Sequence, residues 1–375
     1  MTPDSLFSVE SYRQLRKPLL EASGLAPGCY TSPEFYQREI ERIFGRHWQF
    51  VGREEELPEV GSYICYDGPA GPAIVLRSAA DEIRAFANSC RHRGARLLSG
   101  SGECKRIVCP YHSWSYRHDG RLIGAPGMQG VANFELTDFP LLELSLARWG
   151  GFIFIHYQPS PAPLAGHIGN MPELFDGHRG ADMQLVGKFE FDINSNWKLL
   201  AENALEAYHT GSVHRDTLGQ QDSRALQTHG SWTGLLVEDE HSVATLPGDE
   251  KPFPHIEGLA AQAASGAYFT LLYPSTQFVF AQDCMWWLAF KPLAVDRTQL
   301  TIGACFPRAT IALDGFAEQV KPYFARWREA TAEDNAICEQ QQLGQASARP
   351  PGRYGASEFA VHAFDNWVVD QVVGE

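Results

Sequence analysis

The sequence predicts an α+β fold in two parts: a mostly antiparallel β domain, followed by an antiparallel sheet covered by helices. Three observations lead there. Residues 45–158 break into short β-type runs separated by Gly and Pro turns. Residues 185–193 alternate apolar with mostly polar side chains, and residues 267–307 read as three or four antiparallel strands. Residues 315–342 repeat apolar side chains every three or four positions, as one long helix does.

Taken in order, residues 1–44 read as an accessory helical arm. Ser32-Pro33-Glu34 has the form of a helix start, and Phe35, Ile40 and Phe44 supply apolar contacts in the turns that follow. The first domain is placed at 45–158. Its β-like runs are Ser62 to Tyr66, Ala73 to Leu76, Glu82 to Ala87 and Gly151 to His156, punctuated at Gly68-Pro69, Gly71-Pro72 and Asp119-Gly120. Proline stiffens Pro159-Ser160-Pro161-Ala162-Pro163 and removes backbone donors, so this stretch reads as a linker. The second domain is placed at 159–375, with a helical stretch beginning near Trp197.

Composition narrows the function. The 375 residues carry 31 Lys and Arg against 45 Asp and Glu, a net charge of −14. So acidic a chain is poorly suited to phosphate backbones or anionic lipid, and neither nucleic acid nor membrane is expected as a partner. No run of 18 apolar residues occurs, and the first residues lack the pattern of a signal peptide. Eight cysteines, at 29, 65, 90, 104, 109, 284, 305 and 338, are too sparse for a disulfide scaffold. A reducing, cytoplasmic setting is expected, with thiols available to metal.

The first chemical constellation is Cys90-Arg91-His92-Arg93-Gly94 with Cys109-Pro110-Tyr111-His112-Ser113-Trp114. Two thiolates and two imidazoles suit a tetrahedral zinc or a 2Fe-2S cluster with two cysteines on one iron and two histidines on the other. Spacing favours the cluster, because each short loop supplies one sulfur and one nitrogen instead of a pair of sulfurs. Trp114 and Tyr116 follow at alternating positions, where they would shield a cluster or simply fill the core. Cys104 lies between the loops and reads as a bystander.

The second constellation is Glu206, His209, His214 and Asp334. Glu206 and His209 are three apart and would share a helix face. His209 and His214 are five apart, about 140° on a regular helix, so a break near Gly211 is expected to bring both rings to one ion. Two histidines and one carboxylate form the ligand set of non-haem Fe(II) oxygenases. Asp216 is the nearest acid in sequence. Asp334 is preferred on helical phase, since it falls on the stripe Phe316, Val320, Tyr323, Trp327, Ala330, Ile337, Gln341, where a carboxylate is costly unless paired or metal-bound. Glu333, about 100° off that stripe, is expected to face solvent.

The motifs C-x-H-R-G-x-x-L and C-x-Y-H-x-W-x-Y, with N-W-K…E-N-x-x-E-x-Y-H-x4-H behind them, resemble the terminal oxygenase (alpha) subunits of Rieske-type non-haem iron oxygenases. The resemblance runs over nearly the whole chain from about residue 45. It implies a Rieske domain and a catalytic domain of the START/Bet v1 helix-grip kind. It implies Cys90, His92, Cys109 and His112 as cluster ligands, and His209, His214 and Asp334 as ligands of a mononuclear Fe(II) that activates O2. Glu206 would bridge a cluster histidine of one subunit to an iron-ligand histidine of the next, in a head-to-tail homotrimer, with Asn203 lining the site. No dinucleotide loop and no plant-type ferredoxin spacing is present in the sequence, so electrons would come from NAD(P)H through a separate flavin or iron–sulfur reductase, with or without a ferredoxin.

Most ring-hydroxylating members carry Asp where this chain has Glu206. Glu, together with the run Glu358 to Trp367, resembles the group acting on quaternary ammonium compounds such as carnitine and betaines. Hydroxylation or oxidative demethylation of such a substrate is the leading expectation. Tyr268, Phe269, Tyr273, Phe278, Phe280, Trp286 and Trp287 are the aromatic residues from which a cation–π cage would be drawn. The alternative is an aromatic-ring hydroxylating dioxygenase of hydrocarbon catabolism.

Overall fold

The computed structural model describes residues 6–239, 242–248, 252–347 and 349–374. It divides into two compact units, one spanning Phe44–Ala162 and a larger one that combines Met1–Ile43 with Pro163–Glu375. The smaller unit is thus inserted into the sequence of the larger.

The smaller unit is built from antiparallel strands: β1 (Gln49–Arg53), β2 (Ser62–Gly68), β3 (Gly71–Ala79), β4 (Glu82–Ala87), β5 (Ser101–Glu103), β6 (Ile107–Val108), β7 (Ser115–Tyr116), β8 (Leu122–Gly124), β9 (Glu143–Trp149) and β10 (Phe152–His156). Seven form one sheet in the order β1-β10-β9-β4-β3-β2-β5, and β6-β7-β8 form a second. Strand alternation sorts the core. On β3, Ile74 and Leu76 join Phe86, Cys90, Cys109, Trp114 and Tyr116. Ala73 and Val75 of the same strand turn the other way, to Leu57, Ile153 and Ile155. A strand buried on both faces reads as an unbroken apolar run, as 73–76 does.

The sheet of the larger unit runs β11-β17-β16-β15-β14-β13-β12. Its strands are β11 (Met183–Ile193), β12 (Ser223–Ala225), β13 (Trp232–Glu238), β14 (Gly266–Leu272), β15 (Thr276–Phe280), β16 (Met285–Ala294) and β17 (Arg297–Pro307), all antiparallel. The long helix Lys321–Gln345 lies against this sheet through Tyr323, Phe324 and Trp327, which meet Phe306, Phe189 and Trp286. Trp286 faces the helix while its neighbour Trp287 points away. Gly303 leaves room for Trp287, since a Cβ there would stand 2.0 Å from the indole.

Two expectations are corrected. Residues 315–342 are not one helix. A short helix Phe316–Gln319 precedes Lys321–Gln345, because Pro322 lacks the N–H that would continue the ladder to the preceding turn and is tolerated only in the first turn of a new helix. The segment before Phe44 is not an appendage but part of the larger unit. Its helix Pro33–Glu39, capped by the Ser32 side chain accepting from Phe35 N at 3.1 Å, carries Glu39 into the interior. There Glu39 Oε1 accepts from Lys198 Nζ at 2.6 Å and Oε2 from Trp197 Nε1 at 3.1 Å. Both charged side chains are fully buried, so removing either alone costs about 3–5 kcal/mol.

Candidate metal centres

In the smaller unit the two Cys/His loops have the same backbone despite different spacing. Cys90 N donates to Ala95 O and Gly94 N to Cys90 O, at 2.8 and 2.9 Å. Cys109 N donates to Trp114 O and Ser113 N to Cys109 O, at 2.8 and 3.0 Å. In each loop the fourth residue after the cysteine is left-handed, Gly94 at φ 72° and Ser113 at φ 59°. The turns present Cys90, His92, Cys109 and His112 together, with the two imidazole centroids 4.8 Å apart. Both cysteines are buried, and Trp114 stacks on His92 at 4.8 Å and 9°. Trp114 thus both fills the core and covers a ligand.

This quartet fits a two-iron cluster. His112 Nδ1 is buried and has no hydrogen-bond partner among the described residues, as a ligating nitrogen would be before its metal is added. Nor does the quartet draw together on one point as a zinc site would. Among the described residues that is seen only for His209, His214 and Asp334. The Tyr116 hydroxyl lies 3.3 Å from Cys90 Sγ and accepts from Arg91 N at 3.1 Å. Burial, reinforced by Cys90, raises the Tyr116 pKa, which keeps its proton available to a thiolate. Cys104 stands outside the group and its carbonyl meets His118 Nε2.

In the larger unit, Asn196 caps the helix Trp197–Asn203 by accepting from Lys198 N. That helix ends before the first ligand. Glu206 therefore lies in the following turn and does not share a helix face with His209. Its Oε2 accepts from the N–H of Tyr208 and of His209, so the carboxylate itself shapes the bend. Gly211 is not the break either. It sits inside the single helical turn Thr210–Val213, which His209 and His214 flank. Asp334 arrives from the long helix, and the three ligand atoms lie within 4.8 Å of one another. Asp216 is exposed and takes no part.

Hydrogen bonding explains which imidazole nitrogens face the centre. His209 Nδ1 meets Glu206 Oε1 at 2.5 Å, and His214 Nδ1 meets Glu333 Oε2 at 2.7 Å. Each ring thus directs its outer N–H to a carboxylate and presents Nε2 inward, the arrangement that orients metal-binding histidines. His209 Nε2 and His214 Nε2 stand 3.3 and 3.1 Å from Asp334 Oδ1. That oxygen is nevertheless buried without a properly directed hydrogen bond. Three donors converging without bonding to one another fit a cation. Burial works against protonated His209, but Asp334 and Glu206 outweigh it and push its pKa up to about 9. His214 is raised in the same way, against burial, by Asp334 and Glu333. Iron binding would therefore displace protons.

Glu333 was expected in solvent and is instead the partner of His214 and of Thr217 Oγ1, at 2.7 Å each. The signal available was a carboxylate adjacent to a ligand when each ligating histidine needs an outer acceptor. Glu333→Gln is expected to weaken iron binding about 10–100-fold, measurable by Fe(II) titration of the metal-free protein. Unchanged affinity would reduce Glu333 to a surface contact.

The centre opens on a cavity of about 90 Å3, whose wall includes Asn203, Gln221, Phe269, Trp286, Phe290 and Arg326. Of the seven aromatic residues offered by the sequence for a cage, Phe269 and Trp286 reach this wall. Tyr268 and Phe280 pack on Phe175, and Tyr273 stacks on Trp367 at 4.5 Å. Ile337, placed on the helix stripe by the sequence, is 43% exposed, and Cys338 is buried instead.

Residues 181–374, just over half of the chain, match the family described as ring hydroxylating alpha subunit (catalytic domain). The chain belongs to the ring-hydroxylating alpha subunits. Residues 47–135 of this alpha subunit match the Rieske 2Fe-2S domain. It therefore combines a Rieske cluster domain with a catalytic domain that binds mononuclear iron, and its three-residue site is the group just described. The alpha subunit is 33% identical over 249 residues to a carnitine monooxygenase oxygenase subunit of Escherichia coli, covering 62% of this chain and 64% of that protein, just under two thirds. It is 27% identical to a glycine betaine monooxygenase oxygenase subunit of Chromohalobacter salexigens, covering 92% of this chain and 84% of that one. A solved quaternary ammonium Rieske monooxygenase superposes with a TM-score of 0.82 at 25% identity, over 95% of this chain and 97% of that one. Among the described residues no helix is long and apolar enough to cross a membrane.

Proposed function

We propose that the chain is the terminal oxygenase of a Rieske system that oxidises a quaternary ammonium compound at a carbon bonded to nitrogen. The observation that carries this is the group His209, His214 and Asp334, each imidazole backed by a carboxylate, opening on a cavity walled by Phe269, Trp286 and Phe290. Cys90 and Cys109 would hold one cluster iron, and His92 and His112 the other. Iron at His209, His214 and Asp334 would supply oxygen activation, three protein ligands leaving positions free for dioxygen.

The chain's own residues set the conditions. Glu206 and Glu333 hold the outer imidazole protons, so both Nε2 lone pairs stay available. Glu206, hydrogen-bonded to His209, would carry the link to the cluster of a neighbouring subunit in a homotrimer. Phe269, Trp286 and Phe290 give the substrate an apolar surface beside the iron ligands. In the overall balance, dioxygen takes two electrons and two protons. One oxygen enters a C–H bond beside nitrogen, the other leaves as water, and the hydroxylated product separates into an amine and a carbonyl compound. A separate NAD(P)H-dependent reductase supplies the electrons.

The named relatives carry carnitine and glycine betaine in their descriptions, which supports the quaternary ammonium reading and not the aromatic-ring alternative. A single turnover tests it. Dithionite-reduced protein, freed of reductant and exposed to oxygen, is expected to release an amine and an aldehyde from glycine betaine or carnitine. Hydroxylation of naphthalene or benzoate, with the ammonium compounds untouched, would overturn the proposal.

A further inference from the structure

The long helix contributes more to the cavity than Asp334. Arg326, Ala330 and Asp334 recur every four residues along one face and all reach the wall. Arg326 is 6% exposed. Its guanidinium makes a single hydrogen bond among the described residues, from Nε to Val243 O at 3.0 Å, and lies over the Trp286 ring at 5.3 Å. No carboxylate of a described residue lies within ion-pair distance of it. A buried cation without a counter-ion is costly, and a cavity wall is where a ligand can supply one. Burial lowers its pKa to about 10, which leaves it charged at neutral pH.

The cavity wall also carries the other sign. Glu206 and Asp334 line it beside the histidines, and Glu333 backs His214 from outside, three negative charges that outnumber a divalent ion by one. Arg326 and Asp334 are eight residues apart, about 12 Å along the helix axis, and the Asp334 charge still acts on the guanidinium through space, partly offsetting its burial. The cavity wall thus carries both signs. With the Trp286 face already occupied by a guanidinium, a second cation on that face would be repelled.

We infer that Arg326 binds an anionic group of the substrate, and that the substrate is a zwitterion held with its carboxylate at Arg326 and its ammonium group toward the iron ligands. This rests on the quaternary ammonium reading for the cationic end only. An anion site at Arg326 ranks compounds lacking an anion, such as choline, as poor ligands.

The test is calorimetric binding, under anaerobic conditions and with iron bound, of 4-(trimethylammonio)butanoate and of butyltrimethylammonium, which carries a methyl group in place of the carboxylate. The native protein is expected to prefer the first by about thirtyfold, as a desolvated charge-assisted pair allows. Arg326→Gln should abolish that preference and leave butyltrimethylammonium within about threefold, while Arg326→Lys keeps part of it. Equal binding of both probes by the native protein overturns the inference. So does an equal loss for both in Arg326→Gln, which would make Arg326 a support for Trp286. Arginine-dependent binding of plain hexanoate, with no binding of either ammonium probe, would keep the anion site and sink the quaternary ammonium reading. Absence of binding by all three would overturn the anion site itself. Cluster absorption and iron content of each variant report whether it has folded.

Discussion

Replacing Asp334 by alanine should remove one iron per chain and leave acid-labile sulfide and the cluster spectrum unchanged. Native protein is expected to hold about three irons and two sulfides, and the variant about two of each. Only two imidazoles would remain in the group, and Asp334→Ala withdraws the sole negative ligand. Substrate oxidation is expected to fall below about a thousandth of native, a barrier increase of about 4 kcal/mol. The helix should persist, because Tyr323 and Trp327 anchor it to the sheet well away from residue 334. Asp216→Ala, an exposed change, is the control and should keep all three irons. If Asp216→Ala loses iron and Asp334→Ala does not, the ligand assignment is wrong.

The reciprocal experiment is Cys109→Ala. Cys109 is buried and its backbone closes the second loop. Loss of its thiolate should cost both cluster irons and both sulfides and abolish the cluster EPR signal. The mononuclear site belongs to the other compact unit and should still take up one Fe(II) per chain. Turnover with an external electron donor should be undetectable, since dioxygen cleavage needs electrons the variant cannot deliver. Retained sulfide in Cys109→Ala would remove that residue from the cluster. Together the two variants separate the centres by stoichiometry: one iron without sulfide, against two irons with it.

These differences follow what was legible in the chain. The cluster residues could be read because each loop carries its own thiol, imidazole and turn within six residues, with no need of distant partners. Asp334 could be read because helical phase is a local property and a carboxylate on an apolar stripe demands a reason. Phase also misled. Glu333 was judged against the apolar stripe of its own helix, while its partner His214 comes from a different element. The bend ahead of His209 had no Gly or Pro to announce it, since the Glu206 carboxylate makes it by accepting two backbone N–H groups. Of the aromatic residues, alternation along the strands fixed that only some could face one side. Which side held the cavity depended on where the long helix lay.

The insertion of the smaller unit into the larger has a consequence for synthesis on the ribosome. Glu39 and Lys198 are 159 positions apart, with the whole smaller unit between them. At usual elongation rates, Glu39 would emerge roughly 10–30 s before its partner. During that interval the nascent smaller unit can collapse on its own core, whereas the N-terminal segment has only solvent to pair with. The Glu39–Lys198 contact is then a late closing event. It joins the helix Pro33–Glu39 to the segment that leads into His209 and His214, so the N-terminal segment is held next to the iron ligands only after residue 198 has been made.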